Sequence, residues 1–150
     1  MSSYFSKVEG KDIDFLEKLC GSGNVSTAEE DLVTNAIDAQ LGGFHKPEVV
    51  VWPENSEQVA EILSYADRNR IPVYPRGGGT GLTGTVPVYR GIVINLKRMN
   101  RIIEVDEDDM QVRVQPGMVY DNLNRELERY GLFFPPDPSS GASCTVGGMV

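Results

Sequence analysis

Cysteine, histidine and tryptophan are scarce in this chain: two, one and one among 150 residues. Cys20 and Cys144 stand far apart, and neither belongs to a CxxC or other metal-type spacing. Reduced thiols and no metal site are therefore expected. Apolar runs are short. None approaches the roughly 18 residues of a membrane span, and residues 1–7 lack the apolar stretch of a signal peptide. A cytoplasmic location is the expectation, with peripheral membrane association left open. Positive charge is scarce too, with 14 Lys and Arg against 22 Asp and Glu and a net charge of −8. That balance argues against a nucleic-acid binder, which would need a clustered basic face. An anionic ligand must be held by local donors, because the overall field does not draw it in.

What is present describes a globular domain. The 40% hydrophobic and 24% charged content is ordinary for one, and the length suffices to bury a core. Ile13, Leu16, Leu19 and Cys20 follow helical spacing and stop at Gly21-Ser22-Gly23. Ser26-Thr27 with Glu29-Glu30 reads as the capped start of a second helix through Leu32, Val33, Ala36 and Ile37, ended by Gly42-Gly43. Residues 1–45 are thus expected to form an N-terminal helical segment attached to the main domain. From residue 46 the pattern changes. Val49-Val50-Val51 is a strand, a helix runs from Ser56 to about Asn69, and Ile71-Pro72-Val73-Tyr74 is a second strand. Such a βαβ unit implies a parallel pair. Ile92-Val93-Ile94 is a buried-type strand. Residues 102–106 and 110–115 form a hairpin about an acidic turn, and a helix follows from about Val119 to Gly131. The fold class is α+β.

The most informative segment is Pro75-Arg76-Gly77-Gly78-Gly79-Thr80-Gly81-Leu82-Thr83-Gly84, half of it glycine. Glycine reaches positive φ, so consecutive amides can turn inward as an anion nest. Arg76 adds charge and Thr80 a hydroxyl. The segment from Gly79 to Gly84 also matches GxGxxG after a strand. A dinucleotide fold would need a helix to open at the last glycine, and Thr85-Val86-Pro87 with Gly91 prevents one. A Walker loop would need lysine where Thr85 stands. The plain alternative is a flexible connector, although connectors rarely set Arg, Thr and Leu among glycines directly after a buried strand.

A second loop, residues 135–148, combines stiffening prolines with Ser139, Ser140, Ser143 and Thr145 and ends on Gly147-Gly148. Alone it reads equally well as a surface loop. Paired with the first, it could clasp an elongated dinucleotide from the other side.

At these loops the chain resembles the FAD-linked oxidase superfamily of vanillyl-alcohol oxidase and p-cresol methylhydroxylase. The residues that carry the resemblance are Val50-Val51-Trp52-Pro53 with Ser56-Glu57-Gln58-Val59, and Ile71-Pro72-Val73-Tyr74 leading into Pro75 to Gly81. Pro136-Asp137-Pro138-Ser139 with Cys144-Thr145-Val146-Gly147-Gly148 completes the set. Within the superfamily the Gly-Gly-Gly-Thr-Gly-Leu form is most similar to the D-lactate dehydrogenase, glycolate oxidase and 2-hydroxyglutarate dehydrogenase branch. The alkylglycerone-phosphate synthase branch shares much of it. The resemblance implies a PCMH-type FAD-binding domain over residues 46–150, incomplete at its C-terminus. Its remaining strands, substrate domain and catalytic base would follow Val150. It further implies that Arg76, Gly77, Gly78, Gly79, Thr80, Gly81 and Leu82 grip the pyrophosphate. Pro136, Asp137, Pro138, Ser139, Cys144, Thr145, Gly147 and Gly148 would line the other side. Members that bond flavin covalently carry histidine where Thr80 stands, so non-covalent FAD is expected.

Other residues have plainer readings. His45 is expected at the surface, Cys144 as a small buried thiol, and Trp52 and Tyr74 in strand-end packing. Five carboxylates within residues 104–109 read as a solvated turn, and Asp137 as an organiser of its own loop. For function, the first expectation is oxidation of a D-2-hydroxy acid by hydride transfer to flavin N5, with an unidentified electron acceptor. These 150 residues alone would be inactive. A nucleotide-binding module without turnover, or a homodimer closing the unfinished sheet, are the alternatives.

Overall fold

The computed structural model describes residues 4–39, 45–83, 87 and 89–150. Helix α1 (Gly10–Cys20) forms where the apolar spacing places it. The Asp12 carboxylate reaches back to accept from the Glu9 amide at 2.7 Å, and the helix ends at Gly21, whose φ of +88° suits glycine alone. The next residues depart from expectation. Val25–Ser26 is a short strand, β1, in place of a helix cap. Helix α2 is only Glu29–Thr34, and the expected stop at Gly42-Gly43 lies outside the described residues. Two residues carry no periodicity of their own, so β1 exists by virtue of its antiparallel partner, strand β2 (Val49–Val51).

Helix α3 (Ser56–Asn69) is capped by Asn55, whose Oδ1 accepts from the Gln58 amide at 2.9 Å. Strands β3 (Val73–Arg76) and β4 (Ile92–Asn95) complete a sheet of order β1-β2-β4-β3. The strands flanking α3 are parallel in sense, as expected, but they do not pair with each other. The buried β4, apolar from Ile92 to Ile94, inserts between them and pairs with both. β3 is left as an edge, where Pro75 lacks a ladder donor.

Leu16, Cys20, Val25, Val49, Val51, Ile62, Ala66, Ile92 and Ile94 form one buried cluster. The segment before residue 46 therefore shares the core of the sheet. A second cluster lies under the hairpin β5 (Ile102–Asp106) and β6 (Gln111–Val114). There Met118, Leu123 and Leu127 of helix α4 (Tyr120–Leu127) and its approach pack on Val105, Val112 and Phe134. The loop after α4 ends in a four-residue helix, α5 (Val146–Met149), that the glycine-rich sequence did not announce. No described helix is long and apolar enough to cross a membrane.

Candidate functional site

Strand β3 delivers the glycine loop to a fixed point, because Arg76 is its last ladder residue, opposite Asn95. The second loop is sewn to the start of α4. Val119 and Thr145 form a bridge, the Val146 amide donates to Met118 O at 2.8 Å, and the Tyr120 amide donates to Cys144 O at 3.1 Å. Within that loop the Ser143 and Cys144 amides both donate to Ser140 O at 2.8 Å.

The two loops abut. A Cβ on Gly77 would run into the Thr145 hydroxyl, and one on Gly78 into the Ser143 carbonyl and Cys144 backbone. These two glycines thus serve close backbone approach between loops. Gly79, at φ +72°, supplies the left-handed turn of a nest, and it packs against the Arg76 guanidinium.

Between the loops lies a cavity of about 260 Å³, lined by Pro75, Arg76, Gly77, Gly78, Gly79, Thr80 and Gly81 from one side. Pro138, Ser140, Cys144, Thr145, Gly148 and Met149 line it from the other, with Asp38 at its margin. Among the described residues, the amides of Gly78, Gly79, Thr80 and Gly81 meet no acceptor. The Thr145 hydroxyl is buried, its residue 1% exposed, and has no partner either. A buried hydroxyl such as that of Thr145 costs stability unless something bonds to it. Donors without acceptors among the described residues, gathered around a small cavity, fit an anionic diphosphate.

A neighbouring cavity of about 800 Å³ shares Gly78 and extends past Ser143 to Lys97, Asn100, Asn122 and Arg125. The smaller cavity lies at or below the low end of whole-ligand pockets, roughly 300–1,000 Å³. It suits the phosphate portion of a dinucleotide better than the whole.

Several expected residues lie elsewhere. Leu82 is 74% exposed, and Pro136, Asp137 and Ser139 face solvent. The Gly147 amide is spent on Pro116 O at 2.9 Å, with Pro116 filling the space a Cβ would need. Pro75 and Ser140, named within their loops but not assigned to the ligand, line the cavity, and so do Met149 and Asp38, which were not singled out. Asp38 arrives only through the tertiary fold.

Arg76 reaches the cavity, but its guanidinium donates to Ile37 O at 2.7 Å and to Thr34 O at 3.1 Å. Burial pulls its pKa down, with the field of Asp38 acting the other way.

His45 is exposed and away from the cavity. Both thiols are free and buried, Cys144 with its Sγ 3.9 Å from Met149 Sδ. The Tyr74 hydroxyl donates to Tyr89 O at 2.8 Å, a packing role. No group of three or more metal-ligating side chains occurs among the described residues.

A family model described as an FAD binding domain matches residues 47–150. The chain belongs to that family. This FAD-binding domain is 36% identical over 136 residues to the glycolate oxidase subunit GlcD of Bacillus subtilis, covering 90% of the chain and 29% of the relative. It is 39% identical over 131 residues to the mitochondrial D-lactate dehydrogenase (cytochrome) of Arabidopsis thaliana, covering 81% of the chain and 23% of the relative. The chain therefore spans less than a third of these relatives. Among solved structures it superimposes on alkyldihydroxyacetonephosphate synthase with a TM-score of 0.87 at 22% identity, covering 96% of this chain and 29% of that one. For p-cresol methylhydroxylase the TM-score is 0.73 at 24% identity, with 85% of this chain and 26% of that one covered. The fold of the FAD-binding domain is thus of the PCMH type, in part.

Proposed function

We propose that this FAD-binding domain holds FAD non-covalently, by its diphosphate, in the cavity between the two loops. The same protein would oxidise a D-2-hydroxy acid of the lactate or glycolate kind. The observation that carries the reading is a set of five donors that meet no acceptor among the described residues: the amides of residues 78–81 and the Thr145 hydroxyl. Amides fixed by the fold bind an anion without reorganising, and a net charge of −8 leaves little else to hold one.

Each residue's task follows from its place. Gly78, Gly79, Thr80 and Gly81 donate to phosphate oxygens. Thr145 donates from the opposite loop, and Ser140 adds a hydroxyl at the rim. Gly148, with nothing nearer a built Cβ than the Thr145 hydroxyl at 3.5 Å, leaves room for the ligand. FAD held there would supply a two-electron acceptor for the hydride that the hydroxy acid gives up from C2. Names of the relatives, which act on glycolate and D-lactate, support that substrate class. Non-covalent attachment is supported by Thr80 at the loop and by a described cavity lining without histidine.

Purified protein incubated with FAD and freed of excess should retain a flavin absorption band. Acid precipitation should release the flavin to the supernatant, and a yellow pellet would refute non-covalent binding. Anaerobic addition of D-lactate, glycolate or D-2-hydroxyglutarate to the full-length protein should bleach the band. If none does, the substrate assignment fails. Calorimetry with FAD and ADP separates an oxidoreductase from a nucleotide module, because equal affinities would mean that the flavin half is not recognised.

A further inference from the structure

The one cation that reaches the cavity from the glycine loop points its hydrogen bonds away from it. Arg76 Nη1 donates to Ile37 O at 2.7 Å and Nη2 to Thr34 O at 3.1 Å, both backbone carbonyls just beyond α2 or at its end. The guanidinium also occupies the space beside Gly79 where a side chain would otherwise lie, since a Cβ there would meet its nitrogens and central carbon. Gly79 holds the positive φ that turns the loop. Asp38, four residues past Thr34, faces the same guanidinium and favours its charged form.

We propose that Arg76 is a positioning residue. Its planar fork ties the chain at residues 34–37 to the glycine loop and braces Gly79, so that the amides of residues 78–81 face the cavity. The diphosphate itself is left to those amides and to Thr145. A guanidinium suits this work, because two donors in a fixed plane can meet two carbonyls at once, whereas a lysine offers one point charge.

The proposal rests on the FAD reading for its ligand but not for its geometry, and the two are separately testable. In the protein, Arg76→Lys keeps the charge and loses the fork, while Arg76→Gln loses both. If the fork keeps the loop in its binding geometry, both variants should weaken FAD about tenfold or more, as expected when the competent loop population falls to about a tenth. The slope of affinity against salt should match the wild type in Arg76→Lys, which keeps the charge beside the cavity while losing the fork.

Independently of FAD, Gly79→Ala should lower the melting temperature more in the wild-type background than in Arg76→Gln, where the space beside residue 79 has been vacated. Wild-type affinity in Arg76→Lys, together with a flattened salt slope in Arg76→Gln, would assign Arg76 to the phosphate and overturn the proposal. Additive melting shifts at 76 and 79 would overturn it as well. Should wild-type protein bind no FAD, the proposed function falls and the melting cycle alone decides the role of Arg76.

Discussion

At the scale of single residues, Thr145 is a side chain whose stability and binding roles should separate. Its hydroxyl is buried without a partner among the described residues, so Thr145→Val removes an unmet polar atom at nearly constant volume. Stability should hold or rise slightly, while FAD affinity should drop by about 1 kcal/mol, roughly fivefold, the worth of one hydrogen bond. Urea midpoints and flavin titration measured on the same preparation give both numbers. Loss of stability with unchanged affinity would remove Thr145 from the site. Gly78→Ala should instead lose stability and affinity together. Its Cβ would run into the Ser143 carbonyl and the Cys144 backbone, which cannot swing aside as a flexible side chain can. A cost of about 1–3 kcal/mol is expected, typical of overpacking, and FAD binding should weaken with it as the loops part. An unchanged denaturation midpoint in this variant would mean that the loops do not pack as described.

Residues also show where the chain was readable in advance. The glycine run announced close backbone approach and a positive-φ turn, found at Gly77, Gly78 and Gly79, because backbone freedom and missing side chains are local properties. The direction of Arg76 was not announced, because its acceptors at Thr34 and Ile37 lie about 40 positions away and are main-chain carbonyls that any residue offers. For the same reason Leu82, adjacent to the nest in sequence, could not be told from a cavity residue although it faces solvent.

Among elements, the contact between α1 and α3 makes a pH-dependent prediction. The Phe15 and Tyr65 rings stack at 3.9 Å between centroids, and the Tyr65 hydroxyl donates to the Asp12 carboxylate at 2.6 Å. That hydrogen bond, followed by burial, pushes the Tyr65 pKa from its ordinary 10 up to about 12. An acid held protonated by the fold contributes its full stabilisation below its unfolded pKa. The contribution is lost as pH rises through the folded value. Wild-type stability should therefore fall between about pH 10 and 12 by an amount that Tyr65→Phe does not show. At neutral pH the variant should be less stable by about 1 kcal/mol. Parallel alkaline profiles for the two proteins would remove the hydrogen bond from the account.

Helices and strands with strong periodicity were legible: α1, α3, α4, β2, β4 and the hairpin all stand where the pattern placed them. β1 was not, since two residues acquire strand geometry only from β2. Nor was the insertion of β4 between β2 and β3, because local sequence gives the direction of a strand and not its neighbours.

For the whole molecule, the open issue is whether the first 45 residues are attached to the domain or are part of it. The family match begins at residue 47, yet the core does not. Leu16, Cys20 and Val25 are buried with Val49, Val51 and Ile62 in one cluster. Asn95 Nδ2 donates to Asn35 Oδ1 at 2.8 Å inside the fold, and Arg76 takes both of its acceptors from residues 34 and 37. Burying an aliphatic side chain is worth roughly 1.5–3 kcal/mol, against about 5–15 kcal/mol for an entire domain. Removing Leu16 and Val25, together with the smaller Cys20, and uncovering their partners therefore approaches the lower end of that margin. A version of the protein that begins at residue 46 should lose its cooperative thermal transition and bind an apolar dye. It should also fail to retain FAD although both loops are present. A sharp transition at an unchanged temperature, with flavin still bound, would show instead that the sheet stands without α1 and β1, and that the glycine loop keeps its shape without the carbonyls Arg76 holds.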